Sequence, residues 1–374
     1  MSYIMRFKVG IIGATGFIGS PYRKEIRDAS NHSEIVALCS RRKDRLKAAA
    51  LEDNCEFYTD DYKKVVDHPD VNLVVVLTPD ALHKEAVLRA IESGKHVFCD
   101  KPIGASVKEA YEMWCAIRDT QLAHYVPYWT RYEPKFQYVK QLVANGTLGD
   151  IRAVIYRWQN NRPLSIPFTW RDDVNLSAAG SIADVGSHAY DVVRWILGEE
   201  AVKLVSQAGA ISPPKPYIGE IDLAEAIEWG SSHSITDSQQ TKQGTAYDYA
   251  TITWQFSNNA VGAIILSHAP VIRKGLAPEL ELHGTKSSVS IDRVQHKVTL
   301  LSNDEEPKIK FIPENPVNRW NQFVFPALKQ QIANENCAHP GFKDGWRTQI
   351  FTQAAVESAK RKQWVDVSEF DEEA

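Results

Sequence analysis

Lys8-Val9-Gly10-Ile11-Ile12-Gly13-Ala14-Thr15-Gly16-Phe17-Ile18-Gly19 is the stretch whose reading decides the fold of the first part of the chain. Lys8–Ile12 is a short β-branched run that predicts a strand, and the residues from Gly19 to about Asp28 read as a helix. A glycine turn between strand and helix lets the backbone approach a pyrophosphate, which then rests on the helix N-terminus. Gly13, Thr15, Gly16, Phe17 and Ile18 are therefore candidate dinucleotide contacts. The spacing G-x-x-G-x-x-G is one residue longer than the commonest G-x-G-x-x-G, and glycine loops also serve plain turn geometry. Context decides between the two.

Outward from that loop the chain alternates. Strands are expected at Glu34–Cys39, Phe57-Tyr58, Asn72–Leu77, Lys95–Cys99 and Leu122–Val126. Helices are expected at Asp44–Ala50, Tyr62–Val66, Ala81–Glu92 and Val107–Asp119. The apolar run Asn72–Leu77 is of the kind buried on both faces, and the βα alternation predicts a doubly wound parallel sheet over residues 1–130. Ser40-Arg41-Arg42 follows the second strand, where an NAD site usually carries Asp or Glu for the ribose. A hydroxyl and two guanidinium groups suit a 2′-phosphate, which favours NADP over NAD; a solvated basic loop is the plainer reading. In such sheets ligands lie beyond the carboxyl ends of the strands. That position nominates Thr78, Pro79 and His83, then Asp100 and Lys101, then Tyr128 to Arg131. Lys101 precedes Pro102 and is held on a stiff backbone.

Composition limits the function classes. Net charge is −4 over 374 residues, with a pI near 6.3, which gives no global attraction to nucleic acid or acidic membranes. The longest apolar runs are too short to span a bilayer. The five cysteines are odd in number, without close pairs or metal-ligand spacing, so a reducing cytoplasm is expected and no metal site is.

The second part, residues 131–374, changes character. Pro134–Ala144 reads as an amphipathic helix and Ile151–Trp158 as a long strand; Arg162–Asn175 is an irregular loop. Strand-like runs follow at Val202–Ala210, Ala224–Glu228, Tyr247–Phe256, Ala260–His268, Glu279–His283, Ser288–Ile291 and Lys297–Leu301, which together predict a mostly antiparallel sheet. Helices are expected near Trp320–Ala333 and Gly345–Lys360. If Ile182–Leu197 is one helix, Asp184, His188, Asp191 and Trp195 share a stripe. Two carboxylates and an imidazole are costly to bury without a task, so Asp184 and His188 are candidates for chemistry, with Asp191 orienting structure. Arg157, Trp158, Asn160, Arg162, Trp170 and Arg171 precede that helix and could grip hydroxyls and a ring face.

Three segments together resemble the glucose–fructose oxidoreductase and inositol dehydrogenase family. They are Cys99-Asp100-Lys101-Pro102, Tyr132-Glu133-Pro134 with Val139–Gly149, and Gly180–Asp191 with its D-x-G-x-H-x-x-D pattern. Asp344-Gly345-Trp346 leading into the last helix is similar as well. Asp100 stands where the family usually has glutamate. The resemblance implies a Rossmann domain, a second domain with a large open sheet, and dimers or tetramers formed through that sheet. It also implies Lys101, Asp184 and His188 as the catalytic group, acting on a secondary alcohol of a sugar or cyclic polyol with NAD or NADP. Tyr128, Arg131, Arg157, Trp158, Trp170 and Arg171 are the accompanying substrate candidates. Histidine suits a general base because its ordinary pKa is about 6.5. A glycosidase using bound nicotinamide for transient oxidation, and a dinucleotide-sensing regulator without turnover, are the rival readings on the same fold.

Overall fold

The protein is described by a computed structural model covering residues 6–177, 179–236, 238–302, 305–335 and 339–373. The residues divide into two compact units: 1–127 with 316–347, and 128–315 with 348–374.

Unit 1 is built on six strands: β1 (Phe7–Ile12), β2 (Ser33–Cys39), β3 (Phe57–Thr59), β4 (Leu73–Val76), β5 (His96–Cys99) and β6 (His124–Tyr125). Their order is β3-β2-β1-β4-β5-β6 and every pairing is parallel, as the alternating pattern predicts. The order reverses at β1, so the carboxyl ends of β1, β2 and β4 flank the switch point where ligands bind in open α/β sheets. All four β4 residues are buried, which explains the unbroken Leu73-Val74-Val75-Val76 run.

The sequence suggests a division near residue 130 with the C-terminal helix returning to the first domain; in the structure segment 316–347 belongs with unit 1. Aromatic packing accounts for it. Trp320 stacks on Phe98 at 4.5 Å and meets Tyr22 edge-on at 5.8 Å, while Phe325 stacks on Phe7 at 5.5 Å. Such pairs each add about 0.5–1.5 kcal/mol beyond area burial. Cys39 ends β2 as a buried thiol, pushed up to about 12 chiefly by burial, so it is inert at neutral pH. Cys337 lies outside the described residues.

Unit 2 contains β7 (Ile151–Gln159), β8 (Ala201–Gly209), β9 (Lys215–Pro216), β10 (Thr241–Lys242), β11 (Tyr249–Phe256), β12 (Val261–Ser267), β13 (Leu280–Gly284), β14 (Ser287–Asp292), β15 (Lys297–Ser302), β16 (Lys308–Phe311) and β17 (Val365–Asp366). Nine of them form one sheet in the order β16-β15-β14-β13-β7-β12-β11-β8-β17, and β9 pairs with β10 separately. The pairings are antiparallel except β7 with β12, which run in the same direction with Gln159 beside Ser267. One face of the sheet carries the core, with Val154, Tyr156, Ile252, Trp254, Ile264 and Leu282 packed under Ala189, Val192, Val193 and Phe351 of the helices.

Ala224–Glu228, expected as strand-like, lies instead in the helix Leu223–Ser232. Asp222 and Glu225 form a reciprocal capping box at its start, Glu225 N donating to Asp222 at 3.0 Å and Asp222 N to Glu225 at 2.8 Å. Leu223, Ala226 and Gly230 are buried along one face at a helical spacing, which the short alternation Ala224-Glu225-Ala226 disguises.

Candidate active site

In unit 1 the glycine loop is shaped by close backbone approach. Gly13 has φ +86°, and a Cβ there would lie 2.6 Å from the Leu77 carbonyl oxygen; one at Gly19 would lie 2.3 Å from the Gly13 oxygen. Only glycine fits either position. The N–H groups of Gly13 and Ala14 both donate to the Cys39 carbonyl at 3.0 Å, which ties the loop to the end of β2. Thr15 and Ser40 then join their hydroxyls at 2.5 Å. Arg41 is exposed and Arg42 half-buried just beyond. The helix Gly19–Asp28 begins here with no acidic residue in its first turn, so its N-terminus keeps a favourable field for a phosphate. A cradle that any side chain would fill, at the start of a ten-residue helix, fits the pyrophosphate of a dinucleotide.

His83 is fully buried, and more than a helix N-terminal residue. Its Nε2 lies 2.7 Å from the Thr78 carbonyl and its Nδ1 3.0 Å from the Pro102 carbonyl. A neutral ring donates to one of these and a protonated ring to both. Either way it links the Thr78-Pro79 turn after β4 with the Asp100-Lys101-Pro102 turn after β5. Asp100 N also donates to Val76 O at 2.9 Å, and the Lys101–Pro102 peptide is cis.

In unit 2 the expected single helix Ile182–Leu197 is two: Ser181–Asp184 and Gly186–Leu197, separated at Val185. The Ser187 hydroxyl donates to the Asp184 carbonyl at 3.3 Å, offering that oxygen a side-chain partner at the break. Asp184 thus ends one helix and His188 opens the next. The His188 ring stacks on Trp158 at 5.6 Å and 16°, and meets the Tyr128 ring edge-on at 5.9 Å and 90°. Two aromatic neighbours at right angles define the imidazole's plane. The Asp184 carboxylate lies 3.6 Å from Arg171 Nε and 3.1 Å from His268 Nε2. Arg171 in turn lies flat over Trp170, its guanidinium carbon 4.4 Å from the ring centre.

His268 is the functional candidate that the sequence reading passed over. It follows β12 and is 3% exposed. Burial, with Arg162 and Arg171 nearby, pushes it down to about 4 against the opposing pull of Asp184. It is therefore a neutral ring whose Nε2 lies 3.1 Å from the carboxylate. The available signal was its place at the end of a predicted strand, but nothing local showed that this strand runs beside β7.

Two substrate candidates are occupied elsewhere. Arg131 is buried and grips Asp191 with both arms, Nε–Oδ2 2.7 Å and Nη2–Oδ1 2.5 Å. That fork fixes the helix Gly186–Leu197 from behind, and gives Asp191 the orienting role expected of it. Arg157 pairs with Glu281 and donates to the Pro278 carbonyl at 3.2 Å. Side chains alternate along β7, so Arg157 points to the opposite face of the sheet from Tyr156 and Trp158. Trp195, last of the predicted stripe, lies under the Lys140 ammonium at 4.2 Å. The structure thus brings Tyr128, Trp158, Trp170, Arg171, Asp184 and His188 into one neighbourhood and sends Arg131 and Arg157 to other tasks. Among the described residues, no group of three or more His, Cys, Asp or Glu side chains could hold a metal ion, and no helix is long and apolar enough to cross a membrane.

Comparison with known proteins agrees with this architecture. The family described as "Oxidoreductase family, NAD-binding Rossmann fold" matches residues 7–128, and the "GFO/IDH/MocA C-terminal domain" matches residues 136–290. Levoglucosan dehydrogenase of Pseudarthrobacter phenanthrenivorans is 25% identical over 93% of this chain and 90% of its own length. Myo-inositol 2-dehydrogenase of Thermotoga maritima is 23% identical over 97% of this chain and 99% of its own. A solved levoglucosan dehydrogenase in complex with NADH and L-sorbose superposes with a TM-score of 0.81, at 22% identity, over 97% of this chain and 99% of that one. With a dinucleotide cradle in one unit, a histidine–carboxylate pair in the other and both family domains matched, this chain belongs to the Gfo/Idh/MocA family of NAD-binding oxidoreductases.

Proposed function

We propose that the protein is an NAD(P)-dependent dehydrogenase that interconverts a secondary alcohol and a ketone on a sugar or cyclic polyol. The observation that supports this most is the setting of His188 and Asp184. An imidazole is fixed between Trp158 and Tyr128, one turn from a carboxylate held by Arg171 and His268. Sugar and inositol dehydrogenases among the relatives point the same way.

In this reading the His188 imidazole takes the proton of the reacting hydroxyl. Lys101, at the end of β5, is the proposed donor that stabilises the negative charge developing in the reaction. Asp184, with His268 Nε2 at 3.1 Å and Arg171 Nε at 3.6 Å beside it, accepts a hydrogen bond from a neighbouring substrate hydroxyl. Gly13, Thr15, Gly16, Phe17 and Ile18 hold the pyrophosphate, and Thr78, Pro79, His83 and Asp100 border the nicotinamide half. Nicotinamide, when bound, supplies the two-electron acceptor for the carbinol carbon. Ser40, Arg41 and Arg42 suit a 2′-phosphate, so NADP is the preferred form.

The open face of the nine-stranded sheet presents Ile155, Val261, Ala263, Ile265, Leu301, Ile309 and Phe311, related by the strand register. Arg157, Glu281, Ser290 and Thr299 stand among them on the same face, and we assign this mixed surface to a homodimer or homotetramer; a monomer in sedimentation velocity would refute that assignment. The activity is tested by screening pyranoses and inositols with NAD and NADP in parallel, following nicotinamide absorbance. Reduction with at least one polyol is expected. Glycoside cleavage without net nicotinamide change, or binding without turnover, would overturn the reading.

A further inference from the structure

Three arginines are more than nine-tenths buried among the described residues: Arg23, Arg131 and Arg162, the last 5% exposed. Arg23 grips Asp53 at 2.5 Å, and Arg131 grips Asp191. Among the described residues, Arg162 has no carboxylate within ion-pair distance and its guanidinium donates no hydrogen bond. A buried charge left this way costs several kcal/mol even after relaxation, on the order of what is measured for broken buried pairs. A folded protein retains one where a ligand supplies the counter-charge.

The surroundings indicate which ligand. β7 and β12 are parallel and end together, Gln159 beside Ser267, and Asn160 N donates to the Ser267 carbonyl at 3.0 Å. Arg162 and His268 therefore leave the same end of the sheet, where His268 meets Asp184 at 3.1 Å and Asp184 meets Arg171 at 3.6 Å. Nearby carboxylates are committed. Asp172 pairs with Lys215 at 2.6 Å and accepts from Thr169 N at 2.9 Å; Asp248 accepts from the N–H groups of Ile211 and Ser212 at 2.7 and 3.0 Å. Asp184, Asp172 and Asp248 all act on Arg162 from a distance, and among the described residues none of them comes within ion-pair distance of its guanidinium. The field of Arg162 and Arg171 also contributes to holding His268 neutral, so the histidine adds no further positive charge beside them.

We propose that Arg162, with Arg171, forms a subsite for an oxyanion of the substrate, a carboxylate or a phosphate, so that the preferred substrate is an acidic sugar. The planar guanidinium fork matches both groups. This inference rests on the dehydrogenase reading above and narrows its substrate class.

The test is calorimetric binding of D-glucose, D-glucuronate and D-glucose 6-phosphate to the full chain saturated with dinucleotide, as wild type and as Arg162→Gln. At least one anionic sugar should bind ten-fold or more tightly than glucose, and the glucuronate and phosphate arms tell carboxylate from phosphate. In Arg162→Gln the ratio should collapse to within two-fold. A ratio below ten-fold in the wild type, or one that survives the substitution, overturns the subsite. Thermal melting supplies the folding control. Removing an unpaired buried charge should leave Tm unchanged or higher, and a lower Tm would make Arg162 a structural ion-pair partner and overturn the proposal. Nicotinamide absorbance in the same solutions separates the two claims. Anion-selective binding without nicotinamide reduction refutes the dehydrogenase and leaves the subsite, whereas nicotinamide reduction by glucose without anion preference does the reverse.

Discussion

Replacing His268 by glutamine separates what its ring does for Asp184 from what its titration does for stability. Burial, then Arg162, hold the ring down to about 4, against an ordinary value near 6.5. Between these two values the unfolded chain binds a proton that the folded chain refuses. The contribution is therefore fully present above pH 6.5 and is lost as the pH falls toward 4. At pH 5.0 the unfolded ring is almost fully protonated and the folded ring about one-tenth so, which makes the loss from this residue about 2 kcal/mol; at pH 7.5 it is near zero. Glutamine keeps a polar group beside Asp184 and cannot titrate. Urea unfolding at pH 7.5 and 5.0 should then show His268→Gln losing about 2 kcal/mol less than wild type on acidification. His268→Leu should show the same relief but lower kcat/KM by roughly ten-fold, because Asp184 then loses the polar ring 3.1 Å from its carboxylate. Equal acid sensitivity in wild type and His268→Gln would refute the neutral, buried assignment.

Other consequences are open to equally direct measurement. Arg131→Met leaves the Asp191 carboxylate buried without its fork and should cost about 3–5 kcal/mol in unfolding free energy; a loss below about 1 kcal/mol would show that the pair does not brace the helix. Gly13→Ala forces a Cβ to within 2.6 Å of the Leu77 oxygen at φ +86°, so dinucleotide affinity should fall at least ten-fold, by calorimetry. An unchanged affinity would contradict the cradle. Arg41→Asp should raise KM for NADP much more than for NAD, and parallel changes would remove the argument for a 2′-phosphate.

How much of this was legible depends on how local each determinant is. The parallel sheet of unit 1 was readable because β1, β2 and β4 carry β-branched runs and short crossovers link the strands. The faces of β7 were readable in principle: counting by twos from the buried Tyr156 reaches Trp158 and passes over Arg157. The helix Leu223–Ser232 was readable from Asp222 and Glu225, three residues apart, had the capping box been weighed against the short polar–apolar alternation that follows it. His268 was not readable, because its role depends on the parallel pairing of β7 and β12, strands about a hundred residues apart in sequence. The Arg131–Asp191 fork and the extent of the segment that returns to unit 1, 316–347, were hidden for the same reason. Periodicity shows which face of an element is apolar, and only the fold shows which distant element meets it.

The central claim is that Lys101 and His188 carry the chemistry while the glycine loop independently carries the cofactor. Single-turnover kinetics of Lys101→Ala and His188→Ala, beside calorimetric dinucleotide binding for each, tests it most directly. The account predicts turnover reduced by a factor of a hundred or more, on the order expected for removing a general base or an oxyanion donor, with dinucleotide affinity within a few-fold of wild type. Wild-type turnover in either variant would contradict it.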